Sequence, residues 1–303
     1  MSRPQLVVPP LTPFTDNQEI DETALRRHVD YVIDACGADM VVAAGVEAQE
    51  YHYLSLEQRK RLIRSTIEFV AGRRPVAVGI SHPSFKTAVE LAHYAQELGA
   101  EAVQMLAPQR PFGGEPTTRD LVAYFEAVTR ETPLPMLLYL NPGPGAHVSA
   151  AATIELAKLD AVRYVKESSR DLARVSQLIA DIDQAGHAKY FTTIQMLLIS
   201  LLLGGSGATI PPPAAALGNL VISAFQAGDW KEAARLQAQF AIYPAHWMHR
   251  GLTPTMKASL EILGHGIGLP YPPYEGLNAA EHEALRAHLR TTDLMKRASH
   301  ADR

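Results

Sequence analysis

Short aliphatic runs alternate with longer amphipathic segments along most of the chain, and this alternation is the feature that most constrains its fold. Each run is followed by a segment with helical periodicity, which is typical of repeated βα units around a parallel sheet. The pattern predicts strands at residues 6–9, 40–44, 75–80, 102–106, 135–140, 162–166, 189–192 and 208–210. Eight consecutive βα units predict an α/β fold of the closed (β/α)₈ type, a TIM barrel.

Helix starts are also marked in the sequence. Four residue pairs have the N-cap-to-N3 spacing that satisfies orphan backbone donors: Ser55 with Gln58, Thr117 with Asp120, Ser168 with Asp171, and Asp229 with Glu232. The main competing architecture is an open doubly wound sheet, but no G-x-G-x-x-G motif follows the first predicted strand. The closed barrel is therefore the favoured fold.

The chain continues beyond the eighth βα unit. We expect residues 1–227 to form the barrel and residues 228–303 to form a C-terminal extension. Three helices are predicted in the extension, over residues 229–246, 253–263 and 279–290. Because no linker of disordered composition precedes them, we expect the extension to pack on the barrel or on a partner subunit.

Composition excludes several classes of protein. The formal net charge is −4, from 28 Lys and Arg against 32 Asp and Glu among 303 residues. The sequence has no run of basic residues of the kind that binds nucleic acid. The longest apolar stretch, near residues 196–203, is too short for a membrane span of about 18 residues. Cys36 is the only cysteine, and residues 1–5 lack a signal-peptide core. We expect a reduced, cytoplasmic protein that binds neither nucleic acid nor membranes.

Lys166 is the most prominent candidate for chemistry because it ends the sixth predicted strand. Active sites of (β/α)₈ barrels form at the carboxyl ends of the strands. With a period of two, Lys166 shares a face with Val162 and Tyr164. If that face points inward, burial lowers the amine pKa from about 10.4 and makes it a nucleophile for a ketone. The alternative is a strand-end lysine whose amine reaches solvent.

Tyr139 ends the preceding predicted strand, one strand away from Lys166. Its phenol could enter the same cavity and transfer protons, as acid–base catalysis requires. The alternative is an aromatic side chain that only fills the top of the barrel.

Other polar residues are weaker candidates. His52 and His82 follow the second and third predicted strands, so either could be an acid or base or an ordinary loop histidine. His246 and His249 have i, i+3 spacing without a nearby carboxylate, which makes a metal site improbable. The glycines of residues 204–207 are better explained by a turn than by a phosphate-binding loop, since no Lys-Ser/Thr follows.

The order of several short motifs resembles the dihydrodipicolinate synthase/N-acetylneuraminate lyase family over nearly the whole chain. The resemblance rests on Thr12-Pro13-Phe14 with Ile20-Asp21, Glu50 with Leu54-Ser55 and Glu57-x-Arg59, Tyr139 with Pro142, Tyr164-Val165-Lys166-Glu167-Ser168-Ser169, Gly204-Gly205-Ser206-Gly207 and Gly228-Asp229. It implies a class I lyase in which Lys166 forms a Schiff base and Tyr139 relays protons. It also suggests a homotetramer, although a dimer through the C-terminal helices is an alternative.

The segment after the second strand departs from the family pattern. Family members usually carry G-T-T-G-E, which holds the carboxylate of the keto acid, whereas this chain has Val46-Glu47-Ala48-Gln49-Glu50. We expect the backbone amides of Ala48 and Gln49 to contact the substrate, and Glu47 to bring a like charge close to its carboxylate. Loss of glycine restricts the backbone here.

Further departures bear on the substrate. The positions of the arginine and tyrosines of dihydrodipicolinate synthases hold Pro144 and Gln109-Arg110, so we expect the synthase activity itself to be absent. Arg110 is a candidate for the missing cation, and Thr209 in the last strand is another candidate contact for the substrate. Tyr164 replaces a common glycine and either narrows the cavity or reflects a different strand tilt.

These features predict an aldolase or dehydratase for a pyruvate-derived or 2-keto-3-deoxy acid. No cofactor or metal is implied, because a protonated imine is itself the electron sink. The alternative is a non-catalytic or repurposed barrel that binds a small ligand or a partner. The altered segment at residues 46–50 is the only support for that alternative.

Overall fold

The computed structural model describes residues 4–110 and 114–296. Within them, parallel strands form a closed barrel in chain order, with β1 paired to β8. The strands are β1 (Gln5–Val8), β2 (Met40–Ala43), β3 (Val76–Gly79), β4 (Ala102–Leu106), β5 (Met136–Leu140), β6 (Val162–Glu167), β7 (Lys189–Thr192) and β8 (Gly207–Thr209). The predicted (β/α)₈ fold is confirmed. Each strand begins and ends within one residue of its predicted bounds.

Helices surround the barrel and continue beyond it. Those of the barrel are α1 (Glu22–Asp34), α2 (Leu56–Val70), α3 (Phe85–Glu97), α4 (Thr118–Thr129), α5 (Ala150–Ala157), α6 (Leu172–Leu178), α7 (Leu197–Leu202) and α8 (Ala214–Gln226). The extension contains α9 (Trp230–Ala238), α10 (Leu252–Ile262) and α11 (Ala279–Leu289). In the described part of the chain, no helix is both long and apolar enough to cross a membrane.

The core has two layers. The larger one lies between the strands and the helices, and a smaller one fills the inside of the barrel. The inner layer consists of Val7, Val42, Ala77, Ala102, Leu137 and Phe191, with Met40 and Tyr164 packed against it. Side chains alternate between the two faces of a strand, so residues two positions after Leu137 and Tyr164 also face inward. These are Tyr139 and Lys166, nearer the carboxyl ends of the strands.

A bulge in β6 corrects the face predicted for Val162. Met136 pairs with Val162, but the next residue, Leu137, pairs with Tyr164, so Arg163 is an extra residue in β6. Val162 consequently packs in the outer layer, while Tyr164 contacts the inner one. The prediction that Val162 shares a face with Lys166 is wrong; that for Tyr164 is right.

Tyr164 lies below the barrel mouth. Its ring centroid is 6.2 Å from that of Phe191, in the inner apolar layer. Its bulk therefore fills the amino-terminal end of the barrel and does not narrow the space around Lys166.

Three of the four predicted helix starts are present. Ser55 and Thr117 form reciprocal capping boxes, and the Asp229 carboxylate accepts a hydrogen bond from the backbone N–H of Glu232. The prediction for Ser168 is wrong, because Asp171 is itself the N-cap of α6. The Ser168 side chain faces Lys166 instead, as described below.

The first predicted helix of the extension is shorter than expected. It ends at Ala238, and short 3₁₀ turns, Gln239–Ala241 and Ala245–Arg250, follow. Pro244 lies between them and has no backbone N–H to donate to a continuing helix. The other two helices lie within one residue of the predicted bounds. Residues 1–3 and 297–303, which belong to the predicted barrel and extension, lie outside the described residues.

The glycine-rich turn before β8 closes the barrel. It joins α7 to β8 at the amino ends of the strands, opposite the predicted active face. Gly207 has a φ of 151°, and a Cβ on it would overlap the backbone of Gln5 in the neighbouring strand. The close approach of β8 to β1 therefore requires glycine here.

Candidate active site at the carboxyl ends of the strands

Lys166 is buried inside the barrel mouth. Its side chain is on β6 and only 3 % of its surface is exposed, so the alternative of a solvent-facing lysine is wrong. The amine nitrogen Nζ lies 2.6 Å from Ser168 Oγ and 3.3 Å from the Tyr139 hydroxyl. Burial lowers the pKa of Lys166 to about 8, against the opposing influence of Glu47 and Glu167. A substantial fraction of the amine is thus neutral near physiological pH.

Tyr139 lies beside Lys166 on β5, in register with it. The lysine Nζ is 4.4 Å from the centroid of the tyrosine ring, and the phenol oxygen also accepts a hydrogen bond from Asn141 Nδ2 at 3.2 Å. Burial, with a further contribution from Glu47, raises the pKa of Tyr139. The phenol is therefore protonated at neutral pH. An O–H donor close to a nucleophilic amine has the geometry for proton transfer to a developing alkoxide.

Glu167 supports the end of β6 from the outside of the barrel, and sequence reasoning gave it no role. Its buried carboxylate pairs with Arg174 Nε at 3.0 Å and accepts hydrogen bonds from the Tyr190 hydroxyl and the Ser169 backbone N–H. These contacts hold the strand end that carries Lys166. The sequence signal was a second charged residue directly after the lysine, at the alternate position of the same strand.

Gln104 is a second residue that sequence reasoning missed. It lies in the middle of β4, is fully buried, and contacts the segment after β2. Its Oε1 accepts the backbone N–H of Val46 at 2.9 Å, and its Nε2 donates to both carboxyl oxygens of Glu47 at 3.2 and 3.4 Å. A polar residue within an otherwise aliphatic strand was the available signal.

Glu47 is consequently held at the barrel mouth. Burial raises its pKa, while the charge of Lys166 acts in the opposite direction. From the sequence, we expect Glu47 to bring negative charge near a substrate carboxylate. The contacts with Gln104 and the interaction with Lys166 place its carboxyl group at the site itself.

The segment containing Ala48 and Gln49 differs from the predicted anion-binding loop. Gln49 adopts the left-handed conformation, with a φ of 57°, and its backbone N–H donates to the Val46 carbonyl at 3.2 Å. Its side chain contacts Val46 O and His52 Nε2. Because the Gln49 amide is engaged in a turn, it is not directed at a ligand as predicted. The Ala48 carbonyl accepts from Thr253 Oγ1 of the extension at 3.3 Å.

A cleft of about 350 Å³ opens on the same face of the barrel, among the loops that follow β2, β3, β4 and β5. Its lining includes His52, His82, Gln109 and Arg110. The Arg110 guanidinium forms a 2.6 Å ion pair with Asp120 at the start of α4, which partly neutralises its charge. His82 Nδ1 accepts the backbone N–H of Ser84, as expected for a loop histidine.

Thr209 lies at the end of β8 and is buried. Its neighbour Ala208 packs in the outer layer, so the alternation of the strand directs Thr209 inward. Its hydroxyl Oγ1 has no hydrogen-bond partner among residues 4–110 and 114–296. An unpaired buried hydroxyl is costly unless something else satisfies it, and a ligand in the barrel is one such partner.

The histidines of the extension lie outside this site. His249 Nε2 contacts Glu281 at 2.9 Å in the extension. In the described part of the chain, no group of three or more His, Cys, Asp or Glu side chains could hold a metal ion.

Comparison with known proteins identifies relatives over the whole length of the barrel. The model of the dihydrodipicolinate synthetase family matches residues 3–292. A 4-hydroxy-tetrahydrodipicolinate synthase of Polynucleobacter asymbioticus is 29% identical over 295 residues, covering 94% of this chain and 93% of its own. One from Acidobacterium capsulatum is 31% identical, covering 92% and 93%.

Solved structures show the same architecture. The crystal structure of a dihydrodipicolinate synthase from Bacillus anthracis superposes with a TM-score of 0.85 at 25% sequence identity. The alignment covers 96% of this chain and 99% of that one. The likeness therefore includes the C-terminal helices as well as the barrel.

Proposed function

The chain belongs to the dihydrodipicolinate synthetase family of class I, Schiff-base-forming lyases, and on this premise we propose that Lys166 is the lysine that bonds to the substrate. The observation that carries the proposal is the buried Lys166 amine, with a pKa of about 8, beside the Tyr139 phenol. The substrate is a pyruvate-derived or 2-keto-3-deoxy acid, and the reaction is an aldol cleavage or a dehydration.

Lys166 acts as the nucleophile. Its neutral amine adds to the ketone carbon of the substrate, and loss of water from the carbinolamine leaves a protonated imine. The imine withdraws electrons from the neighbouring carbon, which allows a carbon–carbon or carbon–oxygen bond to break. Burial favours the neutral amine because it disfavours the ammonium ion.

Tyr139 moves the protons of these steps. Its hydroxyl lies 3.3 Å from Lys166 Nζ and is shared with Asn141, so it can donate to the carbinolamine oxygen without moving far. Ser168, 2.6 Å from Nζ, orients the amine. The alternative of a non-catalytic barrel has no support in this arrangement.

Thr209, Arg110 and the backbone N–H of Ala48 are the proposed contacts of the substrate, with Thr209 supported by its unpaired buried hydroxyl. The synthase reaction of the curated relatives is not proposed for this chain. Pro144 and Gln109 stand where the synthases have an arginine and a tyrosine, and Gln109 Nε2 donates to the Gly143 carbonyl at 2.7 Å.

Reductive trapping tests the proposal. Incubation with pyruvate and sodium borohydride should increase the mass of the peptide that contains Lys166, because borohydride reduces the imine to a stable secondary amine. The Lys166→Ala variant should lose the label. Lys257 is an internal control, since it is equally buried but ion-paired with Glu50. An unlabelled Lys166 across a panel of 2-keto acids, or a label retained in the variant, would contradict the proposal.

We also propose that the protein works in the cytoplasm as a homo-oligomer, a tetramer or a dimer. Its single cysteine, Cys36, is buried and free, which fits a reducing compartment. Apolar side chains of α7 and α9, among them Leu202 and Trp230, are exposed on the single chain.

A further inference from the structure

Glu47 lies in the segment that corresponds to the carboxylate-binding G-T-T-G-E of the resembling family, at the position of a threonine, and its carboxyl group interacts with Lys166. From the inside of the barrel, Gln104 Nε2 donates a hydrogen bond to this carboxyl group, and Gln104 Oε1 accepts one from the backbone N–H of the adjoining Val46. Two carboxylates side by side repel each other, so an ionised Glu47 would oppose a 2-keto acid. A protonated Glu47 would instead be a hydrogen-bond donor, as the threonine hydroxyl is.

We propose that Glu47, as a neutral carboxylic acid, donates an O–H hydrogen bond to the carboxylate of the bound 2-keto acid. Glu47 is then a specificity-determining residue for this substrate class. The inference rests on the proposed function, because it presupposes a 2-keto acid bonded to Lys166.

The surroundings of Glu47 favour the neutral form. The titratable groups that interact with it in the described part of the chain include Lys166 on β6, Tyr139 on β5 and Tyr51 in the turn after β2. Both phenols are neutral at physiological pH, since burial raises the pKa of each. Lys166 is the only one of the three that carries a charge, and in the protonated imine that charge is opposed by the carboxylate of the substrate. Gln104 donates an N–H but has no charge to stabilise the carboxylate.

The proton that Glu47 needs can come from Lys166. The ammonium transfers one proton to the Glu47 carboxylate, which leaves a neutral amine and a neutral acid. The amine adds to the ketone carbon, and its proton passes to the carbonyl oxygen to give the carbinolamine. The hydroxyl then leaves as water with a proton that solvent supplies through Tyr139, while the nitrogen lone pair forms the C=N bond. One proton is thus taken up from solvent for each imine formed.

This balance gives a sign for the effect of pH. Above the pH at which Glu47 ionises in the free protein, binding must first protonate it. The need to protonate Glu47 should therefore raise the apparent Kd of pyruvate as the pH rises, by up to about tenfold per pH unit. A variant with a permanently neutral donor at residue 47 should not show this contribution to the pH dependence of the Kd.

The test is calorimetric titration of the full-length protein with pyruvate from pH 6 to 9. Two variants keep a neutral donor, Glu47→Gln and Glu47→Thr, and Glu47→Ala has neither donor nor charge. The Kd of wild-type protein should come closest to that of the two donor variants at pH 6, where the largest fraction of Glu47 is protonated. The ratio of the wild-type Kd to either variant's should then rise with pH. Glu47→Ala should bind about tenfold more weakly than Glu47→Gln, the size expected for a charged hydrogen bond.

A ratio that stays constant from pH 6 to 9 would overturn the inference. So would equal binding by Glu47→Ala and Glu47→Gln, because donation would then contribute nothing. Borohydride labelling of Lys166 in the same samples separates this failure from that of the proposed function. If labelling persists while the ratio is flat, only the role of Glu47 is wrong; if wild-type protein is not labelled, both proposals are.

Discussion

At the scale of single residues, burial acts in opposite directions on the two central groups of the site. It lowers the pKa of Lys166 and raises that of Tyr139, because the charged form is the ammonium in one and the phenolate in the other. Both changes favour neutral groups. A neutral amine can attack a ketone, and a neutral phenol can donate a proton, so one physical cause prepares both residues for Schiff-base chemistry.

Removal of the Tyr139 hydroxyl tests whether Lys166 is the nucleophile and Tyr139 the proton donor. In Tyr139→Phe the ring still packs against Lys166, so we expect the imine to form more slowly but still to be trapped in long incubations. The value of kcat should fall by about 10² to 10⁴ because proton transfer is lost. Steady-state kinetics on the cleaved or dehydrated substrate, once identified by screening 2-keto-3-deoxy acids, measures the effect. An unchanged kcat in Tyr139→Phe would assign the proton transfer to another group.

At the scale of elements, α10 fastens the extension to the barrel through a buried charge. Lys257 on α10 forms a 3.0 Å ion pair with Glu50, and its Nζ also donates to the backbone carbonyl of Thr12 at 2.7 Å. Glu50 in turn accepts the Thr12 backbone N–H. The pair therefore joins the loops after β1 and β2, including the one that carries Glu47, to the C-terminal helices.

Breaking this pair should destabilise the fold. Lys257→Met leaves the Glu50 carboxylate buried without its cation, and we expect a loss of about 3–5 kcal/mol in the free energy of unfolding. The double variant Lys257→Met/Glu50→Gln should recover much of the loss, since no unpaired charge remains. Denaturant unfolding measures both. Lys158→Met, which removes an exposed pair with Glu155, is the matched control and should change stability by less than about 1 kcal/mol.

At the scale of the whole molecule, neighbouring helices of the barrel and the extension expose apolar side chains. Ile199 and Leu202 on α7 and Trp230 on α9 are 37%, 54% and 54% exposed, and the two helices pack together. Exposed apolar side chains that are contiguous mark association sites more often than scattered ones do. A second copy of the chain is the expected occupant in a symmetric homo-oligomer.

Charge on this face should dissociate the oligomer. We expect wild-type protein to have the mass of a dimer or tetramer in light scattering, and the variant Leu202→Glu/Trp230→Glu to have a smaller mass. The control is Leu269→Glu, which changes an apolar residue elsewhere in the extension that is 75% exposed, and it should leave the mass unchanged. A variant with the wild-type mass would place the interface on another surface.

The sequence alone determined the barrel, the order of its strands and the position of Lys166 at the end of β6. These follow from periodicity and from the spacing of motifs, which are local properties of a chain. It also identified residues 46–50 as a departure from the family.

Only the tertiary structure decided what those residues contact. The bulge at Arg163 put Val162 and Lys166 on opposite faces, which no regular period of two predicts. Gln104 reaches Glu47 and Val46 from a strand more than 50 residues away. Burial and through-space charge interactions depend on such distant contacts, and they lower the pKa of Lys166 and raise that of Glu47. The chemistry of the site therefore comes from packing that a linear pattern does not contain.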